Sequence, residues 1–340
     1  MSDLSDLSDL SDLLGIDLNA REYMELFPPA DDWVFIVLMT CTDAAEALPI
    51  LLSEFLDVKV TSVELRKVEL PISDVLEKQL RLYLNCNFED AEGKGQAYVT
   101  ILAAPIDDRV KRNIEHVKSR ETLYISHLHS SQMGRDISRD RPCRCYSFFF
   151  CGFEMFEGDE AVRHFKLRDE DGLELDDSIN EIFVQLPKYA AALDKPVEEM
   201  THREMWGIYF ACADNPRYSK TVDEIVGRHE AIKTVDAALQ SISADRDMKW
   251  ARSSHLMSLM DLNADIAAEA RRARKEGREQ VRNDAARNVL AIGLPLADIA
   301  EMTGMTTEEI ERLSDGEQLE QLEQLEQLEQ LEKREKREAR

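Results

Sequence analysis

Polar and apolar positions alternate most regularly between Arg81 and Leu102. Leu82, Leu84, Cys86 and Phe88 fall on one side of an extended chain, and Tyr83, Asn85 and Asn87 on the other. Further on, Val99 and Ile101 oppose Tyr98, Thr100 and Leu102. The pattern predicts two strands around an acidic, glycine-containing turn. Before this hairpin, the apolar-rich stretch Ala44–Leu56 predicts a helix, with Pro49 suited to its first turn, and Val58–Val68 predicts a strand. After it, Asp107–Met133 predicts a long helix carrying Ile114, Val117, Tyr124 and Leu128 on one side. Cys145–Phe153 is a continuous apolar, aromatic run, as expected of a central strand covered on both faces. His164–Leu167 and Ile182–Leu186 predict further strands, and helical patterns dominate from Val197 onward. Helices on both sides of a mixed sheet define an α/β domain.

Both ends of the chain are repetitive. Ser2–Leu13 is Ser-Asp-Leu four times over, and Glu317–Leu331 is Glu-Gln-Leu five times over. Leucines three apart precess by about 60° per step on a helix, so Leu319, Leu322, Leu325, Leu328 and Leu331 sweep roughly 240°. That is neither a heptad seam nor a core face. The expectation is an expanded short repeat, tolerated where constraints are few, with a partner-binding helix as the alternative. The predicted organisation is a low-complexity tail over 1–27, an α/β domain over 28–215, a helical region over 216–313 and a second low-complexity tail over 314–340.

The formal net charge of −26 argues against a generally nucleic-acid-binding surface, but it is unevenly distributed. Residues 109–144 carry nine Lys/Arg against four acids, and residues 271–287 carry seven against three. These segments are either solvated faces or phosphate contacts on one side of an acidic body. The six cysteines follow no disulfide-scaffold spacing, and Cys143-Arg-Cys145 lacks the second pair that a zinc site requires. No run of apolar residues is long enough to span a membrane, and the N-terminus has no secretory pattern, so a cytoplasmic location is expected.

Several segments carry a resemblance in order. They are Arg120-Glu-Thr-Leu-Tyr-Ile-Ser-His-Leu-His-Ser-Ser-Gln132, the strand Tyr146–Phe156, His164-Phe-Lys-Leu-Arg-Asp169, Glu181-Ile-Phe-Val-Gln-Leu-Pro-Lys188 and Trp206 within Glu204–Phe210. Near the end come Ala286-Arg-Asn-Val-Leu-Ala-Ile-Gly-Leu294 and Asp298–Ile310. Together, from about Asp32 to Leu313, they resemble the Rpn family of recombination-promoting nucleases or putative transposases, of the PD-(D/E)XK superfamily. The resemblance implies a restriction-endonuclease-like mixed sheet flanked by helices, a helical C-terminal region, and a metal-dependent DNA endonuclease associated with recombination.

Such an enzyme is implied to use Mg²⁺, which takes oxygen ligands and activates water for phosphodiester hydrolysis. The family pattern has an Asp in one hairpin strand and Glu-x-Gln in the next, two residues apart and so on one face. In this chain those positions fall on Tyr83, Thr100 and Leu102, while an earlier acidic position falls on Asp32. A phenol, a hydroxyl and an alkyl group make a poor magnesium site. The expectation is therefore a family member with a degenerate catalytic site. The alternative is a non-catalytic DNA-binding protein, or an oligomerising partner of active relatives. Arg112, Lys118, Arg120 and Arg135 are the candidate DNA contacts.

Two weaker features complete the picture. His127 and His129 are two apart and point in different directions on a helix. Thr306-Thr-Glu-Glu309 is a capping box after the Gly304 turn and, with Leu296–Thr303, is similar to a helix-turn-helix. Its second helix carries Glu308, Glu309 and Glu311 against Arg312, which favours packing or dimerisation over base reading.

Overall fold

The computed structural model describes residues 21, 25–42, 44, 46–66, 81–91, 93–104, 114–132 and 143–313. The protein is mixed α/β. Helices α1 (Asp32–Thr40) and α2 (Ala47–Leu56) precede three antiparallel strands, β1 (Lys59–Leu65), β2 (Leu82–Asp90) and β3 (Gly93–Ala104). Helix α3 (Ile114–Ser130) then leads to β4 (Arg144–Cys151), which runs parallel to β3. β5 (Val162–Lys166) and β6 (Ile179–Gln185) complete a sheet of order β1-β2-β3-β4-β6-β5, with β6 parallel to β4 and β5 antiparallel at the edge. A 3₁₀ segment, Leu186–Asp194, follows β6, then α4 (His202–Cys212), α5 (Ser219–Arg228), α6 (Glu230–Ala244), α7 (Arg246–Ala291) and α8 (Leu296–Thr303).

The alternating hairpin forms in the predicted register. Tyr83 pairs with Thr100 and Leu84 with Val99, so Leu82, Leu84, Val99 and Ile101 share the face that packs against α1, α2 and α4. The aromatic run of β4 is central, as expected. Phe148 and Phe150 enter that principal core, where Phe35 and Phe210 each lie 5.5 Å from Phe150, ring to ring. Phe149 faces the opposite layer, under α3. Gly207 allows the Tyr189 ring to lie against α4, because a Cβ there would come within 2.3 Å of it.

Two compact units divide at Met257 and Ser258. In the first, the core extends through α5 and α6, burying Val222, Ile225, Ile232, Val235 and Leu239 with the sheet-side residues. The second has its own small core of Ala286, Ile299, Met305 and Ile310. There Gly304 ends α8 in the left-handed conformation (φ 67°). The Thr306–Glu309 capping box then forms, with Glu309 N–H donating to Thr306 Oγ1 at 3.2 Å and Thr306 N–H to Glu309 Oε2 at 3.0 Å. Both terminal repeats lie outside the described residues.

Candidate functional site

Four side chains stand in register across the middle of the sheet. Tyr83 lies opposite Thr100, Thr100 beside Ser147, and Ser147 beside Glu181. Register neighbours project to the same face, so these four form one polar row. Apolar clusters flank the row. On one side are Leu102, Phe149 and Phe183 with Val117, and on the other Cys145, Ile125 and Leu128 with Tyr83 and Tyr98 at their edge. Helix α3 spans both clusters, because Val117, Glu121, Ile125 and Leu128 recur at helical spacing and are all buried.

Glu121 is the charged residue in that stripe, and it is fully buried. Its Oε1 pairs with Arg81 Nη2; both side chains are almost wholly buried, and the Arg81 guanidinium lies 4.1 Å from the Tyr124 ring centroid. Burial pushes the Glu181 carboxyl up, with the Glu121 charge adding to the shift and Thr122, one position along the helix from Glu121, opposing it. The Thr100 and Ser147 hydroxyls, the Tyr83 phenol and Glu121 Oε2 have no hydrogen-bond partner among the described residues. Burial pushes the Tyr83 phenol up to about 12, against the opposing pull of Arg81.

The structure brings Tyr83, Thr100 and Leu102 to one face, but under a helix rather than in a cleft. Thr100 is fully buried and Leu102 is packed among Val117 and Phe149. Asp32 is elsewhere, in the first turn of α1 on the other side of the sheet. There it accepts from Trp33 N–H at 2.7 Å and lies 3.6 Å from His255 Nε2. Burial pushes its carboxyl up, with Asp31 adding to the effect. Lys118 pairs with Glu115 at 2.7 Å and sits 5.0 Å over Phe156, and Arg120 is half-buried. Arg112 and Arg135 lie outside the described residues. At the end of the first basic segment, Arg144 is neutralised between Asp90, at 2.5 Å, and Asp177.

Sequence reasoning missed Glu121, Ser147 and Glu181. Glu121 left a signal, because it interrupts an apolar stripe at the i+4 position from Val117 and the i−4 position from Ile125. The role of Gln132 also depends on the fold. Its amide clamps the backbone ahead of β4, accepting from Cys143 N–H at 2.8 Å and donating to Cys143 O at 3.0 Å.

The donors around Tyr83 and Thr100 do not fit Mg²⁺. The ion needs several oxygens arranged octahedrally, with room for water or phosphate. Here two neutral hydroxyl groups face a carboxylate already paired with Arg81, and Leu102 fills the remaining position.

A separate cluster joins Glu54, His202 and His229, whose ligand atoms lie within 4.8 Å of one another. His202 Nδ1 is 2.8 Å from Glu54 Oε1, and the two imidazole rings are 4.9 Å apart, edge to face. His229 caps α6, its Nδ1 accepting from Ile232 N–H at 3.3 Å. That bond places the ring proton on Nε2, the nitrogen that a metal would need. The cluster is therefore arranged as a helix cap backed by an acid–imidazole pair.

These features define a mixed α/β protein with a polar row under one helix. Among known protein families, curated proteins and solved structures, nothing matches the chain. No helix among the described residues is long and apolar enough to cross a membrane.

Proposed function

We propose that this chain is an Rpn-type, nuclease-like scaffold that contacts nucleic acid without cleaving it. The observation that carries the reading is the row Tyr83–Thr100, with Leu102 beside it. The positions assigned by resemblance to the metal carboxylates do share one face, yet they carry no carboxylate; Thr100 and Leu102 are buried and Tyr83 is half-buried. Among the described residues, Thr100 and Leu102 are closed off from solvent, and the buried Arg81–Glu121 pair lies beside them.

Contact with a polyanion is supported by α7. Arg271, Arg274, Lys275, Arg278 and Arg282 fall within an arc of about 100° along about 16 Å of helix. Arg272 and Lys275 have partners in Glu276 and Glu279. No carboxylate pairs with Arg271, Arg274, Arg278 or Arg282 among the described residues. Like charges at this spacing oppose each other on an isolated helix, and a row of phosphates relieves that repulsion.

Two assays on the full chain test the reading. In a plasmid-nicking assay with Mg²⁺ or Mn²⁺, no cleavage is expected, and metal-dependent cleavage would overturn the non-catalytic assignment. A fluorescein-labelled duplex should bind at low salt, with a log–log salt slope of about −4.5 if roughly five cations contact phosphates. Replacing Arg271, Arg274, Arg278 and Arg282 by Gln should remove most of that slope. An unchanged slope sinks the α7 assignment.

A further inference from the structure

A cavity of about 560 Å³ opens where the parallel strands β4 and β6 end, bordered by Gly152 just after β4 and Leu186 just after β6. Its other walls come from the 3₁₀ segment and the last turns of α4, including Leu193, Ile208 and Phe210. The size suits a small organic molecule, and the carboxyl ends of parallel strands are where open α/β sheets leave room for one.

The charged side chains at the cavity are of one sign. Asp31 and Asp214 line it, and no lysine or arginine does among the described residues. Asp31 is engaged, its Oδ1 accepting from Val34 N–H at 3.2 Å while Oδ2 lies 3.5 Å from Arg252, which does not line the cavity. No ion pair or side-chain hydrogen bond engages the Asp214 carboxylate among the described residues. Burial holds that carboxyl above its ordinary value, with a hydrogen bond from its own backbone and attraction to Arg252 opposing the shift. Cys212 is the last residue of α4, so the negative end of the helix dipole adds to the same field. An anionic ligand would meet repulsion here, a neutral one would leave Asp214 without an ion-pair partner, and a cation would pair with it.

We infer that this cavity binds a small organic amine, with its apolar body against Leu193, Ile208 and Phe210 and its ammonium group at Asp214. Titration calorimetry on the full chain tests the inference with tryptamine, phenethylamine and hexylamine. Indole-3-ethanol and indole-3-propionate serve as the neutral and acidic counterparts of tryptamine. At least one amine should bind, and tryptamine or its analogues should exceed the propionate by roughly tenfold or more. Asp214→Asn should erase that preference while leaving residual binding of the apolar body. Ala190→Trp, which fills the cavity from its rim, should abolish binding altogether, with folding of both variants checked by circular dichroism. Three outcomes would each overturn the inference: no amine binds, the propionate binds as well as the amines, or amine binding survives in a folded Ala190→Trp variant. Neither DNA binding nor cleavage enters this test.

Discussion

Arg81 and Glu121 form a buried ion pair between the start of the hairpin and the middle of α3, with side chains 3% and 1% exposed. The pair lies over the polar row, and its Arg81 end is also covered by Tyr124. A lone charge at this depth has no water to solvate it, so each partner depends on the other.

Removing one partner should therefore cost far more than removing both. Arg81→Met leaves Glu121 buried and unpaired, and should lower the free energy of unfolding by about 3–5 kcal/mol. The double variant Arg81→Met with Glu121→Leu should recover most of that loss. Urea denaturation of the two single variants and the double variant gives the coupling directly. Equal losses in single and double variants would mean that the pair is not closed in solution.

The rebuilt site should fail for the same reason. Tyr83→Asp with Thr100→Glu and Leu102→Gln restores the residues that the resemblance implies. However, it places new carboxyl groups at fully buried Thr100 and half-buried Tyr83, in a layer that already holds Glu121 and Glu181. The expected result is a loss of several kcal/mol of stability without nicking activity. Metal-dependent nicking by a folded triple variant would show that α3 moves aside.

Glu181 should report the strain in that layer through pH. Its folded carboxyl lies above the ordinary 4.5, chiefly because of burial. The folded chain thus holds this proton more tightly than the unfolded chain, and the charged form weakens the fold at neutral pH. Glu181→Gln should raise Tm near neutrality. The gain should shrink as pH falls toward the ordinary 4.5, because the native carboxyl takes up its proton at a higher pH than the unfolded one. A Tm gain that does not vary with pH would contradict this assignment.

His229 should act with the opposite sign. Burial lowers its value below 6.5, with His202 adding to the effect and Glu54 opposing it. The unfolded chain therefore takes up the proton first. The stability contributed by the neutral cap is present above pH 6.5 and is lost as pH falls through that value toward the lower folded one. His229→Asn keeps a side-chain acceptor for the first turn of α6 but cannot titrate. It should flatten this part of the stability profile, as measured by urea midpoints at successive pH values. His229→Ala should lower stability at neutral pH by about 1 kcal/mol. An Asn variant with the same acid sensitivity as the native chain would rule out His229 as its source.

Much of the framework was legible from the order of residues alone. Alternation in 81–102 assigned both faces of the hairpin, because a strand's side chains must project to opposite sides. The aromatic run around Phe148–Phe150 marked a central strand, and Gly304 with Thr306 and Glu309 marked a helix end and a helix start. These are local rules, satisfied within a few residues. Tertiary structure alone decided what the hairpin face meets. Glu121 is separated from Arg81 by 40 positions and from Glu181 by 60, and only α3 folding back over β3, β4 and β6 brings the three together. The same crossover buries Thr100 and Leu102, while the sheet itself keeps Asp32 on the opposite side. Strand periodicity can place side chains on a shared face, but whether that face is open to water depends on long-range packing.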